Sequence, residues 1–193
     1  MKAVAAVAEI LKREGTTFLI GYPVNPIIEA AAQADIRTII VRQERTGLHM
    51  ADAVSRISSG QKIGVFTMQQ GPGSENAFGG VAQAYGDSVP IVVLPGGYPR
   101  RITNIPPNFN SFINYRNVTK WCEQVVVGDA VPDAMRRALS AMPMPAQSPW
   151  PSDPVATSTN GSRGVGWPSR SDVILRRFST SSRPNAPAAA HAA

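Results

Sequence analysis

A single cysteine, Cys122, rules out an internal disulfide, and two histidines, His49 and His191, are too few and too far apart for a zinc set. This usage points to a reducing compartment, and the expected location is cytoplasmic. Aromatic residues make up 7% and charged residues 17% of the 193 positions, too little of either for a coiled coil or for a basic stripe interleaved with stacking rings. The formal net charge is +6, but residues 1–140 hold 14 Lys and Arg against 11 Asp and Glu, and half of the surplus falls in the last 53 positions. No nucleic-acid partner is expected. No run of about 18 apolar residues occurs, so no membrane span is expected. The opening "MKAVAAVAEILKREG" starts like a signal peptide, but Glu9, Lys12, Arg13 and Glu14 interrupt it and no small-residue cleavage site follows.

What remains is rich in Ala, Gly and short apolar bursts. Residues 3–13 pattern as an amphipathic helix with Ala3, Val7, Ile10 and Leu11 on one side. Strands are expected at "TTFLIG", "IRTIIV", "KIGVFTM", "PIVVLPGG" and "WCEQVVVG", separated by helical stretches. Asn25 is placed to cap the second helix with Pro26 at its first position, and Ser74 to cap the fourth. The third helix, about 46–58, is expected to bury Leu48, Ala51, Val54 and Ile57, and the last to cover 131–140. Alternating βα units imply a three-layer α/β/α domain on a parallel sheet. The Pro- and Asn-rich stretch from about 96 to 117 is long for a connection and reads as a substrate loop.

In such a sheet, ligands sit at the carboxyl ends of the strands. Four unusual segments fall there: "GYPVN", "RQER", "QQGPGSEN" and "PGGYPRR". "GPGSEN" is GxGxxN, neither a dinucleotide fingerprint nor a P-loop, and by itself it reads first as a tight structural turn. Glu44, between Arg42 and Arg45, has a plain reading too, as a carboxylate that satisfies the first turn of a helix and its dipole.

The phrases "EGTTFLIGYP", "IIVRQERTGLHMADAVSR", "GVFTMQQGPGSENAFGGVAQAYGDSVPIVVLPG" and "NVTKW" resemble, in order and spacing, the N-terminal pyrimidine-binding domain of thiamine-diphosphate-dependent enzymes of the acetolactate synthase and pyruvate oxidase type. The resemblance covers residues 1–140 and implies the thiamine-diphosphate-binding fold. It implies that Glu44 hydrogen-bonds N1′ of the aminopyrimidine and shares its proton there, which lets the exocyclic nitrogen take the proton from thiazolium C2. Tyr22 and Pro23 match the Tyr-Pro beside the cofactor, and Pro72, Gly73 and Asn76 match the loop that borders the pyrimidine. If Arg42 and Arg45 faced Glu44 they would offset its charge; turned outward, they would leave burial to act alone. Val24-Asn25 stand where the synthases have Gly-Gly, Gln69-Gln70 where they have Thr-Ser, Gln43 where a His is common, and Pro106-Pro107 near their Phe-Gln pair. The resemblance therefore implies a 2-oxo acid reaction without fixing acetolactate as its product.

The family binds the diphosphate through Mg²⁺ on a domain with a Gly-Asp-Gly motif, which this sequence lacks. The expectation is a half-site, inactive by itself and completed by a diphosphate-binding domain or subunit in a homo- or hetero-oligomer. A subunit of a split 2-oxo acid decarboxylase and a non-catalytic domain that keeps the fold are the alternatives. From residue 141 the text turns to Pro, Arg, Ser and Ala without Lys, Glu or Tyr, where the family shows a final apolar strand between the fourth and fifth. Residues 141–193 are expected to be a low-complexity, disordered tail, the final strand to be missing, and a shifted reading frame to be the origin of the change. Only "DVILRRF" within it suggests a short element.

Overall fold

The computed structural model describes residues 2–103 and 105–142. Four strands, β1 (Phe18–Tyr22), β2 (Arg37–Ile40), β3 (Gly64–Met68) and β4 (Ile91–Pro95), make one parallel sheet in the order β2-β1-β3-β4. Tyr22 is level with Met68, and Met68 with Pro95, so three carboxyl ends finish on one line. Parallel neighbours need crossovers, and helices supply them. The helices are α1 (Ala3–Arg13), α2 (Asn25–Gln33), α3 (Glu44–Ile57), α4 (Pro72–Gly86), α5 (Ser111–Tyr115) and α6 (Val131–Ala141).

Alternation along the strands divides the core in two. Leu19, Val65 and Val92 point to a layer built with Leu11, Ile27 and Met135 from α1, α2 and α6. Ile20, Phe66 and Met68 point the other way, to Leu48, Ala51, Ala77 and Val81 of α3 and α4. The result is the expected three-layer α/β/α arrangement. β3 is buried along its whole length, and Phe66, fully buried, contributes about 1.5–3 kcal/mol of apolar transfer. A Cβ on Gly64 would strike the backbone carbonyl of Ala51, so glycine lets β3 and α3 pack backbone to backbone. Two buried polar groups on α3 are satisfied within the scaffold: Ser55 Oγ accepts from Gly64 N at 2.8 Å, and Asp52 pairs with Arg56, which also reaches Asp87 at the end of α4. That pairing with Asp52 raises the Arg56 pKa above its ordinary value.

Several expectations change. "WCEQVVVG" forms no strand. A strand needs a ladder partner, and among the described residues β4 pairs with β3 alone; Val125, Val126 and Val127 are exposed, and the Val126 carbonyl accepts from Arg100 Nε at 3.1 Å instead. Asn25 and Ser74 do not cap their helices; α2 and α4 start from Val24 and Gly71 without a side-chain cap. The third helix begins two residues earlier than expected, at Glu44, and its buried face is rotated toward Asp52 and Ser55, leaving Val54 half-buried and Ile57 87% exposed. The long loop holds α5, capped by Asn110 Oδ1, which accepts from Ile113 N at 3.1 Å. The tail from residue 143 on, including "DVILRRF", lies outside the described residues. Among the described residues no helix is long and apolar enough to cross a membrane.

Candidate functional site

The strand order creates the site. From β1 the chain moves outward through α2 to β2, then returns across the opposite face through α3 to β3, so the connections leaving β1 and β3 run to opposite layers. Between them, outside the carboxyl ends of two neighbouring strands, lies the crevice where open α/β sheets bind ligands. Tyr22-Pro23 leaves from β1 and Gln69-Gln70-Gly71-Pro72-Gly73 from β3. Glu44 arrives on the first turn of α3.

Val41 N donates to Gly21 O at 3.3 Å, which keeps the chain on the sheet just past β2. Gln43 is still extended, at φ −152° and ψ 133°, and Gly47 N closes the first helical bond to its carbonyl. Glu44 therefore enters α3 with its side chain turned inward, 5% exposed. Arg42 and Arg45 are exposed, and among the described residues Glu44 is in no ion pair. Glu44 does not bond the N–H groups of its own first turn. Oε2 instead accepts from Asn76 Nδ2 of α4 at 3.2 Å, across 32 positions of sequence. Oε1 makes no hydrogen bond among the described residues, and it is not sealed from solvent.

The Gly-Pro-Gly segment is both a turn and a clearance. Gly71 has φ +65°, a conformation that disfavours side chains, and the Tyr98 hydroxyl occupies the place a Cβ would take. Pro72, exposed, starts α4 with its preset φ. Gly73 is buried; a Cβ there would stand 3.2 Å from Glu44 Oε1 and 2.9 Å from Gln69 Cγ. Glycine here thus keeps a side chain off the free carboxyl oxygen. Tyr22 is half-buried on the α3/α4 side of the sheet, the side of Glu44, while Pro23 is exposed beside it. Of the six residues singled out by sequence, Asn76 bonds Glu44 and Gly73 lies beside its Oε1; Tyr22, Pro23 and Pro72 share the same edge without a hydrogen bond to Glu44.

Sequence reasoning gave Ser74 the wrong task and missed its partners. Ser74 Oγ accepts from Ser111 Oγ at 2.9 Å, and Ser74 O from the buried Tyr115 hydroxyl at 2.7 Å, so the long loop is fastened to the first turn of α4. Burial pushes the Tyr115 phenol well above its usual range, with the Ser74 bond opposing. The Ser and Tyr four positions apart in "SFINY" were the only sequence signal. Gln70 was likewise seen only as a departure. Its Oε1 lies 3.1 Å from where a Cβ on Gly96 would be, at the same edge. Two open surface depressions, one lined by Trp121, Arg136 and Arg137 and the other by Glu9, Arg13 and Gln33, include none of these groups. Among the described residues no three His, Cys, Asp or Glu side chains gather to hold a metal.

A buried carboxyl group with one oxygen tied and the other unbonded among the described residues can hydrogen-bond a polar group that approaches past Gly73. The family described as "Thiamine pyrophosphate enzyme, N-terminal TPP binding domain" matches residues 1–125. Similar proteins include the probable acetolactate synthase large subunit of Methanocaldococcus jannaschii, 29% identical over 143 residues, which are 72% of this chain and 24% of the relative. The acetolactate synthase large subunit of Parasynechococcus marenigrum is 40% identical over 103 residues, 50% of this chain and 16% of that one. The acetolactate synthase isozyme 3 large subunit of Escherichia coli is 36% identical over 87 residues, 43% and 15% of the two chains. The chain matches at most about a quarter of the length of these relatives.

Proposed function

Because the chain belongs to the thiamine pyrophosphate enzyme family, through its N-terminal TPP binding domain, we propose that its crevice takes the aminopyrimidine ring of thiamine diphosphate and that Glu44 activates the cofactor there. The observation that carries this reading is the Glu44 carboxyl group: buried, in no ion pair among the described residues, and unbonded there at Oε1, beside a residue without a side chain. Oε1 would meet the ring nitrogen and hold the shared proton. Gly73 gives the ring room, and Tyr22, Pro23, Pro72 and Asn76 border it. When bound, the cofactor supplies the carbon nucleophile for a 2-oxo acid carbonyl. The reaction class is that of a 2-oxo acid lyase or synthase, acetolactate synthase-like, in keeping with the relatives' names. The diphosphate and its Mg²⁺ belong, on this reading, to a further domain or subunit.

The test is Glu44→Gln in an assembly that also contains the diphosphate-binding part. Exchange of the cofactor's C2 proton, followed by ¹H NMR, is expected to slow by about 10²–10⁴-fold, the range of a lost general acid. A residue serving only to start a helix would cost about 1 kcal/mol of stability and leave exchange at its normal rate.

A further inference from the structure

We infer that Asn76 is a positioning residue acting on Glu44: its amide ties Oε2 and so assigns Oε1 as the oxygen that meets the ligand. The inference rests on the reading of the crevice given above. A carboxylate has two equivalent oxygens and rotates about its terminal bond, so a site needing one of them in a fixed place must distinguish them. Here the distinction is made by Asn76 Nδ2, 3.2 Å from Oε2, while Oε1, beside Gly73, has no hydrogen bond among the described residues. Asn76 is exposed and Glu44 is buried, so the amide reaches inward from α4 over the acid. Its anchor is secure, since the first turn of α4 is held through Ser74 by Ser111 and Tyr115. An amide is also the right chemistry: it donates to Oε2 without adding charge, and so leaves Oε1 to its ligand. A Lys or Arg in its place would hold the carboxyl as an ion pair.

The experiment uses the whole chain, ¹⁵N-labelled, with 4-amino-2-methylpyrimidine as the probe. In the wild type one Asn76 Nδ2 proton is expected downfield of ordinary side-chain amides, and in Glu44→Gln that signal returns toward the ordinary position. Asn76→Asp keeps the shape but replaces the donor by a second carboxylate facing Oε2; Asn76→Ala loses shape and donor without adding charge. Both variants are expected to weaken the probe's Kd by about tenfold, the size of one charge-assisted bond, with the backbone spectrum elsewhere unchanged. Unchanged probe binding in both Asn76 variants, together with loss of binding in Glu44→Gln, would overturn this inference and leave the crevice reading standing. An Asn76 amide signal indifferent to Glu44→Gln would overturn it as well. If the wild type showed no shifts at about 10 mM probe, or if Glu44→Gln bound as well as the wild type, the crevice reading itself would fall.

Discussion

Replacing Gly73 by alanine adds one methyl group at the point where the site and the scaffold make opposite demands. Gly73 lies in the first turn of α4 with an ordinary backbone conformation, so alanine gains about 0.5–1 kcal/mol from helix propensity and a less flexible unfolded chain. Against this, the new Cβ would stand 2.9 Å from Gln69 Cγ, a contact relieved by movement of a half-buried, flexible side chain, at a cost of about 1 kcal/mol. Stability should therefore change by less than about 1 kcal/mol. Binding is different, because the same Cβ would lie 3.2 Å from Glu44 Oε1, inside the shell that a hydrogen-bonded ring nitrogen needs at roughly 2.7–3.2 Å. A weakening of at least about tenfold, or 1.4 kcal/mol, is expected. Gly79 of the same helix is the control, with nothing within 4 Å of its Cβ. Gly79→Ala should stabilise by about 0.5–1 kcal/mol and bind normally. Urea denaturation and probe titration by NMR give both quantities for each variant. Equal binding by Gly73→Ala and Gly79→Ala would refute the claim that the space beside Oε1 is the ligand's.

The remaining predictions concern the same edge and its supports. Glu44→Gln should slow C2-proton exchange and Asn76→Asp should weaken probe binding, by the amounts and assays given above. Tyr115→Phe leaves the Ser74 carbonyl without its buried donor and should cost about 1–2 kcal/mol in urea denaturation. Because burial holds the Tyr115 phenol above its ordinary 10.0, the folded state keeps the proton longer than the unfolded chain; its contribution is complete below pH 10 and is lost as pH rises beyond that. The half-buried Cys122 thiol, also raised by burial, adds a loss of the same sign starting near 9.0. Stability measured between pH 8 and pH 11 should thus fall with rising pH, less steeply in Tyr115→Phe; a flat or rising profile would contradict the burial argument. Arg56→Ala strands the mostly buried Asp52 and should destabilise by about 2 kcal/mol, whereas Arg136→Ala on the surface should cost under about 0.5 kcal/mol.

The four strands and the helices between them were legible because burial on two faces writes apolar runs and amphipathic periods directly into the sequence. "GVFTM" and "IVVLP" read as strands and are strands. "WCEQVVVG" carries the same β-branched residues, yet a strand is a pair property, and the partner cannot be read from the segment itself. Caps failed for a related reason. Ser74 has the right side chain for a cap, but α4 already starts at Pro72, and Ser74 Oγ, inside the first turn, accepts from Ser111 Oγ and donates to Gln69 O instead. The face of α3 was misjudged because apolar spacing took no account of a buried Asp52 answered by Arg56 or a Ser55 answered by Gly64 N. In the site, Glu44, Gly73 and Asn76 were each visible as residues; that an amide 32 positions away ties one carboxyl oxygen and a missing Cβ frees the other was not. Contacts of that kind arise only when the sheet brings its carboxyl ends to one edge.

The central claim is that the Glu44 carboxyl group meets a ring nitrogen in the crevice. Labelling both ring nitrogens of 4-amino-2-methylpyrimidine with ¹⁵N and recording their shifts in the presence of the chain tests it most directly. The account predicts that one ring nitrogen moves strongly upfield with the wild type, as it accepts a proton or hydrogen bond, and stays near its free position with Glu44→Gln. Equal shifts with both proteins, or movement of neither nitrogen at saturating chain, would contradict it.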